Sequence, residues 1–392
     1  MKRFRVTLAA LLSALMLVGV AGQASLAQAD SANAAEASEA AHVESTVIVK
    51  FKAGADQDAI MKAHGLAKKG QIYDSDEMIL EGRGKSAAAL AKALANHPDV
   101  EWAELDYIGS IQWTPNDPSF GSQWGPTKVQ APAAWDVTRG SSTVMIAVVD
   151  TGVDLDHPDL ATKVNTSLDY DFVNSDSTAQ DDQGHGTHVA GIAAAATNNS
   201  TGIAGMCPNC TILPVKVLNS AGSGSYSAIA SGIRYAADKG AKVINLSLGG
   251  TSGNSTLSSA VTYADGKGSL VIAAAGNNGN STPFYPAAYT AAVAVAATTS
   301  SDTRASFSNY GSYVDVAAPG QSIYATYWNN TYSSLSGTSM AAPHVSGLAG
   351  LLFSQGRTKA DVRTRLTGTA YTDPAASSNI GRRINAFKAV SN

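Results

Sequence analysis

Only two cysteines, Cys207 and Cys210, occur among 392 residues, both in one Cys-Pro-Asn-Cys segment. In a reducing compartment that spacing would suit a redox motif or half a zinc site. No second Cys/His pair completes four ligands, and the export expected below favours a tight local disulfide instead. Charge is scarce too. Asp, Glu, Lys and Arg make up 15% of the chain, the formal net charge is −4, and no basic patch is interleaved with aromatics. That balance argues against nucleic acid as a partner. Long apolar runs are missing after residue 30, so no membrane anchor is expected. No internal repeat of about 20–50 residues is visible. Apolar residues, by contrast, reach 44%, ample for a large core and contrary to general disorder. At about 150 residues per domain, the length leaves room for two or three.

The first residues carry targeting features. Lys2, Arg3 and Arg5 form a positive region, residues 6–21 an apolar run, and Ala27-Gln28-Ala29 a small-residue cleavage pattern ahead of Asp30. The run is shorter than the roughly 20 residues of a bilayer span, so residues 1–29 are expected to be a signal peptide and the product secreted, extracellular. Residues 30–44, mostly Ala, Ser, Glu and Asn, read as a linker. A compact pattern follows: a strand over 46–51, a helix over 56–64, short strands at 72–73 and 78–80 around an Asp-Ser-Asp turn, a helix over 86–96 and a strand over 100–108. That order is a small α+β, ferredoxin-like plan.

From about residue 113, strands and helices alternate. Strands are expected over 144–149, 212–218, 243–248, 270–275 and 292–297, and helices over 185–196, 225–239, 255–267 and 339–355. The strands are nearly continuous apolar runs, as in a parallel sheet covered on both faces. The expectation for 113–392 is therefore an α/β, doubly wound, mostly parallel sheet with its functional groups outside the carboxyl ends of the strands.

Three motifs stand out: Val-Val-Asp150-Thr-Gly, Gly-His185-Gly-Thr-His188 and Gly-Thr-Ser339-Met-Ala. Asp-Thr-Gly also serves aspartic hydrolysis, but that chemistry needs two carboxylates sharing a proton, and the chain has one such motif. The histidines are three apart with no Glu between them, whereas zinc hydrolases present them four apart around a Glu. His185, flanked by Gly184 and Gly186, reads as a base and His188 as a structural helix residue. Ser339 opens an apolar helix whose start is set by Pro343, tolerated in a first turn. A helix N-terminus offers free N–H groups and a dipole that favour developing negative charge. The three motifs thus supply an acid, a base and a nucleophile. Asn277, in a loop freed by Gly276 and Gly279, adds a side-chain donor for a tetrahedral oxyanion beside the backbone N–H of Ser339.

With these four motifs, residues from about 113 onward resemble the subtilases, the subtilisin-like serine proteases, and within them the thermitase group. The small domain ahead resembles their inhibitory propeptide. The resemblance implies a serine endopeptidase that hydrolyses peptide bonds of proteins through an acyl-enzyme. It further implies cutting near Gln112-Trp113, a propeptide acting as intramolecular inhibitor and folding aid, and a monomeric mature enzyme on 113–392. Ser247, Leu248, Gly249 and Gly250 would line the primary specificity pocket, and Gly222, Ser223 and Gly224 would pair with an extended substrate backbone. The uncharged pocket wall implies a preference for large apolar or aromatic side chains. Two other readings stay open: a non-catalytic secreted binding protein on the same scaffold, and a processing protease of narrow specificity.

Calcium is the cofactor that the resemblance implies, held by hard oxygen ligands. One site maps onto Asp117, Asp159, Asn199 and Thr201, with Ala196 and Ile203 as backbone donors. A second maps onto Asp171, Asp176, Thr178 and Gln180, where a neutral Asn174 replaces a carboxylate of the group and two extra residues precede Asp171. A third, weaker cation site would use carbonyls near Ala287, Tyr289 and Ala292.

Overall fold

The structure is a computed structural model that describes residues 42–109 except 83, and 113–391 except 376 and 378. The expected signal peptide, most of the linker and Gln112 lie outside the described residues. The chain divides into two compact units, one up to Ile111 and one from Gln112.

The first unit runs β1 (His42–Phe51), α1 (Gln57–His64), β2 (Leu66–Gln71), β3 (Met78–Gly82), α2 (Ala87–Ala95) and β4 (Val100–Tyr107). Its antiparallel sheet has the order β2-β3-β1-β4. The helix ends follow local chemistry: Asp56 and Ser86 accept the backbone N–H groups of Ala59 and Ala89, and Gly65 closes α1 with φ 68°. Alternate residues Val47, Val49 and Phe51 of β1 face Leu80, Leu90 and Leu94 in one core.

Two expectations fail here. Residues 42–44, read as linker, already belong to β1. The strand expected at Ile72-Tyr73 lies instead at Leu66–Gln71, and those two side chains stand in the turn, 40% and 96% exposed. An edge strand that pairs on one side only, with Lys68 and Lys69 exposed, needs little apolar patterning.

The second unit begins with α3 (Trp124–Lys128) and α4 (Ala131–Val137), followed by β5 (Met145–Asp150), β6 (Tyr170–Asp171), α5 (His185–Ala194) and β7 (Thr211–Lys216). Next come α6 (Tyr226–Asp238), β8 (Val243–Leu246), α7 (Ser255–Gly266), β9 (Leu270–Ala274), β10 (Ala292–Thr298), β11 (Val316–Pro319), β12 (Ile323–Tyr327) and β13 (Thr331–Leu335). The chain closes with α8 (Thr338–Ser354), α9 (Lys359–Thr367), β14 (Thr372–Asp373), β15 (Arg382–Ile384) and α10 (Ala386–Ser391).

The nine-stranded sheet has the order β14-β15-β11-β10-β9-β8-β5-β7-β6. Its pairings are parallel except β14 against β15. Within β5, Ile146 and Val148 enter the core shared with α5 and α8, while Ala147 and Val149 enter the core shared with α6 and α7. Two buried faces make the strand apolar at every position. The strand order reverses at β5, and that reversal opens a crevice at the carboxyl ends of β5 and β8.

Candidate active site

Asp150 closes β5 and is fully buried. Its Oδ1 accepts the N–H of Thr151 and lies 2.7 Å from His185 Nδ1. His185 opens α5, which has no capping side chain at Gly184. Asp181, unremarked in the sequence, fills that role. Its carboxylate accepts the N–H groups of Gln183, Gly184 and Thr187 and the hydroxyl of Thr151, leashing the helix start to the end of β5. Gly186 permits the approach, because a Cβ there would stand 2.0 Å from the carbonyl oxygen of Gly152. Burial pulls the His185 pKa down. The charge and hydrogen bond of Asp150, with a contribution from Asp181, outweigh that and leave it above the ordinary imidazole value.

His188 sits one turn on and is buried among carbonyls. Its Nε2 lies 3.0 Å from the oxygens of both Ile323 and Ser333, tying α5 to the β12–β13 hairpin. Burial drives its pKa down to about 4, so it stays neutral at ordinary pH. Lys216, also unremarked, is 1% exposed; its ammonium donates to the carbonyls of Thr151 and Leu218 and to Asp182. It pins the residue that follows Asp150.

Ser339 lies at the second position of α8, and its Oγ donates to the carbonyl of Ser247 at 3.0 Å. The helix starts at Thr338, which puts Pro343 in the second turn rather than the first. It is tolerated because the carbonyl it leaves without a helix partner, that of Ser339, accepts the Ser247 hydroxyl at 2.7 Å. Asn277 follows β9. Its Oδ1 accepts both the N–H and the hydroxyl of Thr338, at 2.8 and 2.9 Å, so its Nδ2 is left free to donate elsewhere. Thr338 thus fixes the orientation of the amide.

These groups share one cleft of about 520 Å³, lined by His185, Ser339 and Asn277 together with Gly222, Ser223, Gly224, Ser247, Leu248 and Gly249. Its apolar wall includes Leu218, Tyr226, Ile229, Leu248 and Phe284, and among the described residues no Lys, Arg, Asp or Glu contributes to the lining. Several glycines here serve the fold as well as any ligand. A Cβ on Gly224 would stand 2.1 Å from Val217 O, one on Gly249 2.3 Å from Tyr285 O, and one on Gly250 2.4 Å from Tyr226 Oη. Gly250, expected in the lining, lies behind it and pairs in both directions with Tyr285.

Among the described residues, no cluster of three or more His, Cys, Asp or Glu is arranged to hold a metal. Around the first expected cation site, the loop 196–203 wraps two buried carboxylates. Asp117 accepts the N–H groups of Asn198 and Asn199. Asp159 accepts Asn199 Nδ2, the N–H of Ile203 and the Tyr332 hydroxyl. Asn199 Oδ1 accepts the Thr201 N–H, and the Ala196 N–H donates to the Asp159 carbonyl. Gly202 leaves a cradle here, since a Cβ would stand 2.0 Å from Asp159 Oδ2. Burial and the charge of Asp159 raise the Asp117 pKa. Two buried carboxylates beside this cradle, with no basic side chain bonded to them among the described residues, fit a cation.

The residues of the second expected site are also held in hydrogen bonds. Asp171 accepts the N–H groups of Val173 and Asn174 and Asn174 Nδ2, and Asp176 accepts the Thr178 N–H. The Gln180 side chain is bound instead to Asp154 and the N–H of Leu155. Of the carbonyls expected at the third site, that of Ala292 accepts the Arg363 guanidinium, as do those of Thr290 and Ala291. Cys207 and Cys210 form a disulfide, fully buried against Gly140 and Gly350.

Comparison with known proteins bears on all of this. Residues 141–382 match the Subtilase family, and residues 28–106 match the Fervidolysin N-terminal prodomain. The chain is 59% identical over 280 residues to Thermitase of Thermoactinomyces vulgaris, which spans 71% of this chain and 99% of that protein. It is 49% identical over 334 residues to the Thermophilic serine proteinase of Bacillus sp. (strain AK1), covering 84% of this chain and 83% of that one. A solved protease structure from Pseudoalteromonas arctica matches with a TM-score of 0.63 at 34% identity, over 71% of this chain and 99% of that chain. The chain belongs to the subtilase family, as a thermitase-like serine protease preceded by a prodomain.

Proposed function

We propose that this chain is the precursor of a secreted endopeptidase in which Asp150, His185 and Ser339 form the triad and Asn277 holds the oxyanion. The observation that carries the reading is the 2.7 Å contact between His185 Nδ1 and Asp150 Oδ1, in the cleft that also receives Ser339 and Asn277. With Nδ1–H donated to Asp150, Nε2 is the unprotonated nitrogen of neutral His185 and can accept the Ser339 proton as Oγ attacks the scissile carbonyl. Asp150 then stabilises the imidazolium, consistent with the raised His185 pKa. Charge develops on the carbonyl oxygen within reach of Asn277 Nδ2 and the Ser339 N–H. The imidazolium returns its proton to the leaving amine, giving the acyl-enzyme, and water completes hydrolysis by the same relay.

The apolar lining of the cleft supports broad cleavage with a preference for large apolar or aromatic side chains. Gly222, Ser223 and Gly224 are exposed at its edge, suited to pairing with an extended substrate strand. Residues 113–392 constitute the mature enzyme, and residues 30–112 keep it silent and assist its folding until they are cut off near Gln112-Trp113. Residues 1–29 direct export. Asp117, Asp159, Asn199 and Thr201, with backbone oxygens of Ala196 and Ile203, would hold calcium, whose charge would offset the repulsion between the two carboxylates. As a test, the full chain carrying Ser339→Ala should lose about 10⁶-fold in turnover on a peptide substrate and keep its N-terminal unit attached. Normal processing and undiminished hydrolysis would remove the triad reading.

A further inference from the structure

The helix that carries Ser339 lacks one of its own bonds. Pro343 has no N–H, so the carbonyl four residues earlier, that of Ser339, lacks its usual helix partner. The Ser247 hydroxyl donates to it instead, at 2.7 Å. That hydroxyl accepts Asn245 Nδ2 at 2.9 Å, and Asn245 Oδ1 accepts the Ser346 hydroxyl at 2.8 Å. Ser346 lies seven residues beyond Ser339, on the same helix face. The chain of bonds therefore ties α8 to the end of β8 at two points. Asn245 and Ser346 are 0% exposed and Ser247 3%. Two hydroxyls and an amide in so apolar a layer cost stability unless each is bonded, and here the bonding directions are set. A hydroxyl has one proton, and with Asn245 donating to Ser247 Oγ, that proton goes to Ser339 O.

We propose that Ser247 is a positioning residue for Ser339. Its hydroxyl replaces the helix bond that Pro343 removes and holds the carbonyl of Ser339, which sets the aim of its side chain and N–H. Asn245 and Ser346 hold Ser247 in turn. Ser247 lines the cleft, but its hydroxyl is committed to the helix. The inference rests on the reading of Ser339 as nucleophile, and the two can fail separately.

The experiment measures the rate at which a fluorophosphonate labels Ser339, together with kcat and KM on a peptide. Labelling of the unaltered protein at another residue, or not at all, would sink the nucleophile reading and this inference with it. Given labelling at Ser339, Ser247→Ala should slow it about tenfold and lower kcat by the same factor, with KM changed less than about twofold. Adding Pro343→Ala supplies an N–H in reach of the Ser339 carbonyl. It should raise the labelling rate of Ser247→Ala by a factor at least about threefold greater than it does in the unaltered protein. Should Ser247→Ala fail to fold, Ser346→Ala, two links away, should show the same kcat loss at about threefold. Labelling of the folded Ser247→Ala or Ser346→Ala variant at the unaltered rate, or an equal Pro343→Ala factor in both backgrounds, overturns the proposal.

Discussion

The two units bury very different things. Among the described residues of the first unit, Thr46 is the only buried polar side chain; the second unit buries Asp150, Asp159, Asp181, His188, Lys216, Asn245 and many more. A small sheet with one apolar core is enough to fold and to present a surface. Chemistry needs charges placed where water cannot reorganise around them, and the second unit supplies them at the carboxyl edge of a sheet buried on both faces. Each of these groups is bonded, which offsets part of the cost of its burial, although Asp150 Oδ2 and His188 Nδ1 have no partner among the described residues.

The largest effect on this contrast should come from Asp150→Asn. Turnover should drop by about 10⁴-fold. The acid limb of kcat/KM reports His185, which must be neutral to act, so activity rises with pH through its raised pKa. Without the Asp150 charge only burial remains as the main influence, and the midpoint should move to lower pH. An unmoved midpoint would separate Asp150 from the base.

A smaller effect, on stability alone, is expected from chelation. Loss of calcium held at about 100 times its Kd removes about 2.7 kcal/mol, which for a unit of this size lowers Tm by about 5–10 °C. The Asp159→Asn variant should lose that response, and each folded molecule should keep its activity at low temperature. An unchanged Tm in excess chelator would refute the cation reading.

Much of this was legible in sequence for a physical reason. Residues 146–149 are apolar at every position because both faces are buried. Asp150 and His185 lie within two residues of glycines whose close contacts leave no room for a Cβ. What escaped notice depends on partners distant in sequence. Asp181 and Thr338 look like loop and helix-start residues until their partners Thr151 and Asn277 are seen. Arg363 claims the carbonyl of Ala292 from 71 residues away. The strand β2 escaped because an edge strand rich in lysine lacks the alternation that marks a half-buried one. Asn245 and Ser346 were hidden inside apolar runs, where single polar residues carry no pattern.

The most direct measurement is to label the processed protein with a fluorophosphonate and map the modified residue by peptide mass. The account predicts one label, on Ser339, absent in Ser339→Ala and blocked while the N-terminal unit remains attached. A label on any other residue, or peptide hydrolysis that persists after Ser339 is modified, would contradict it.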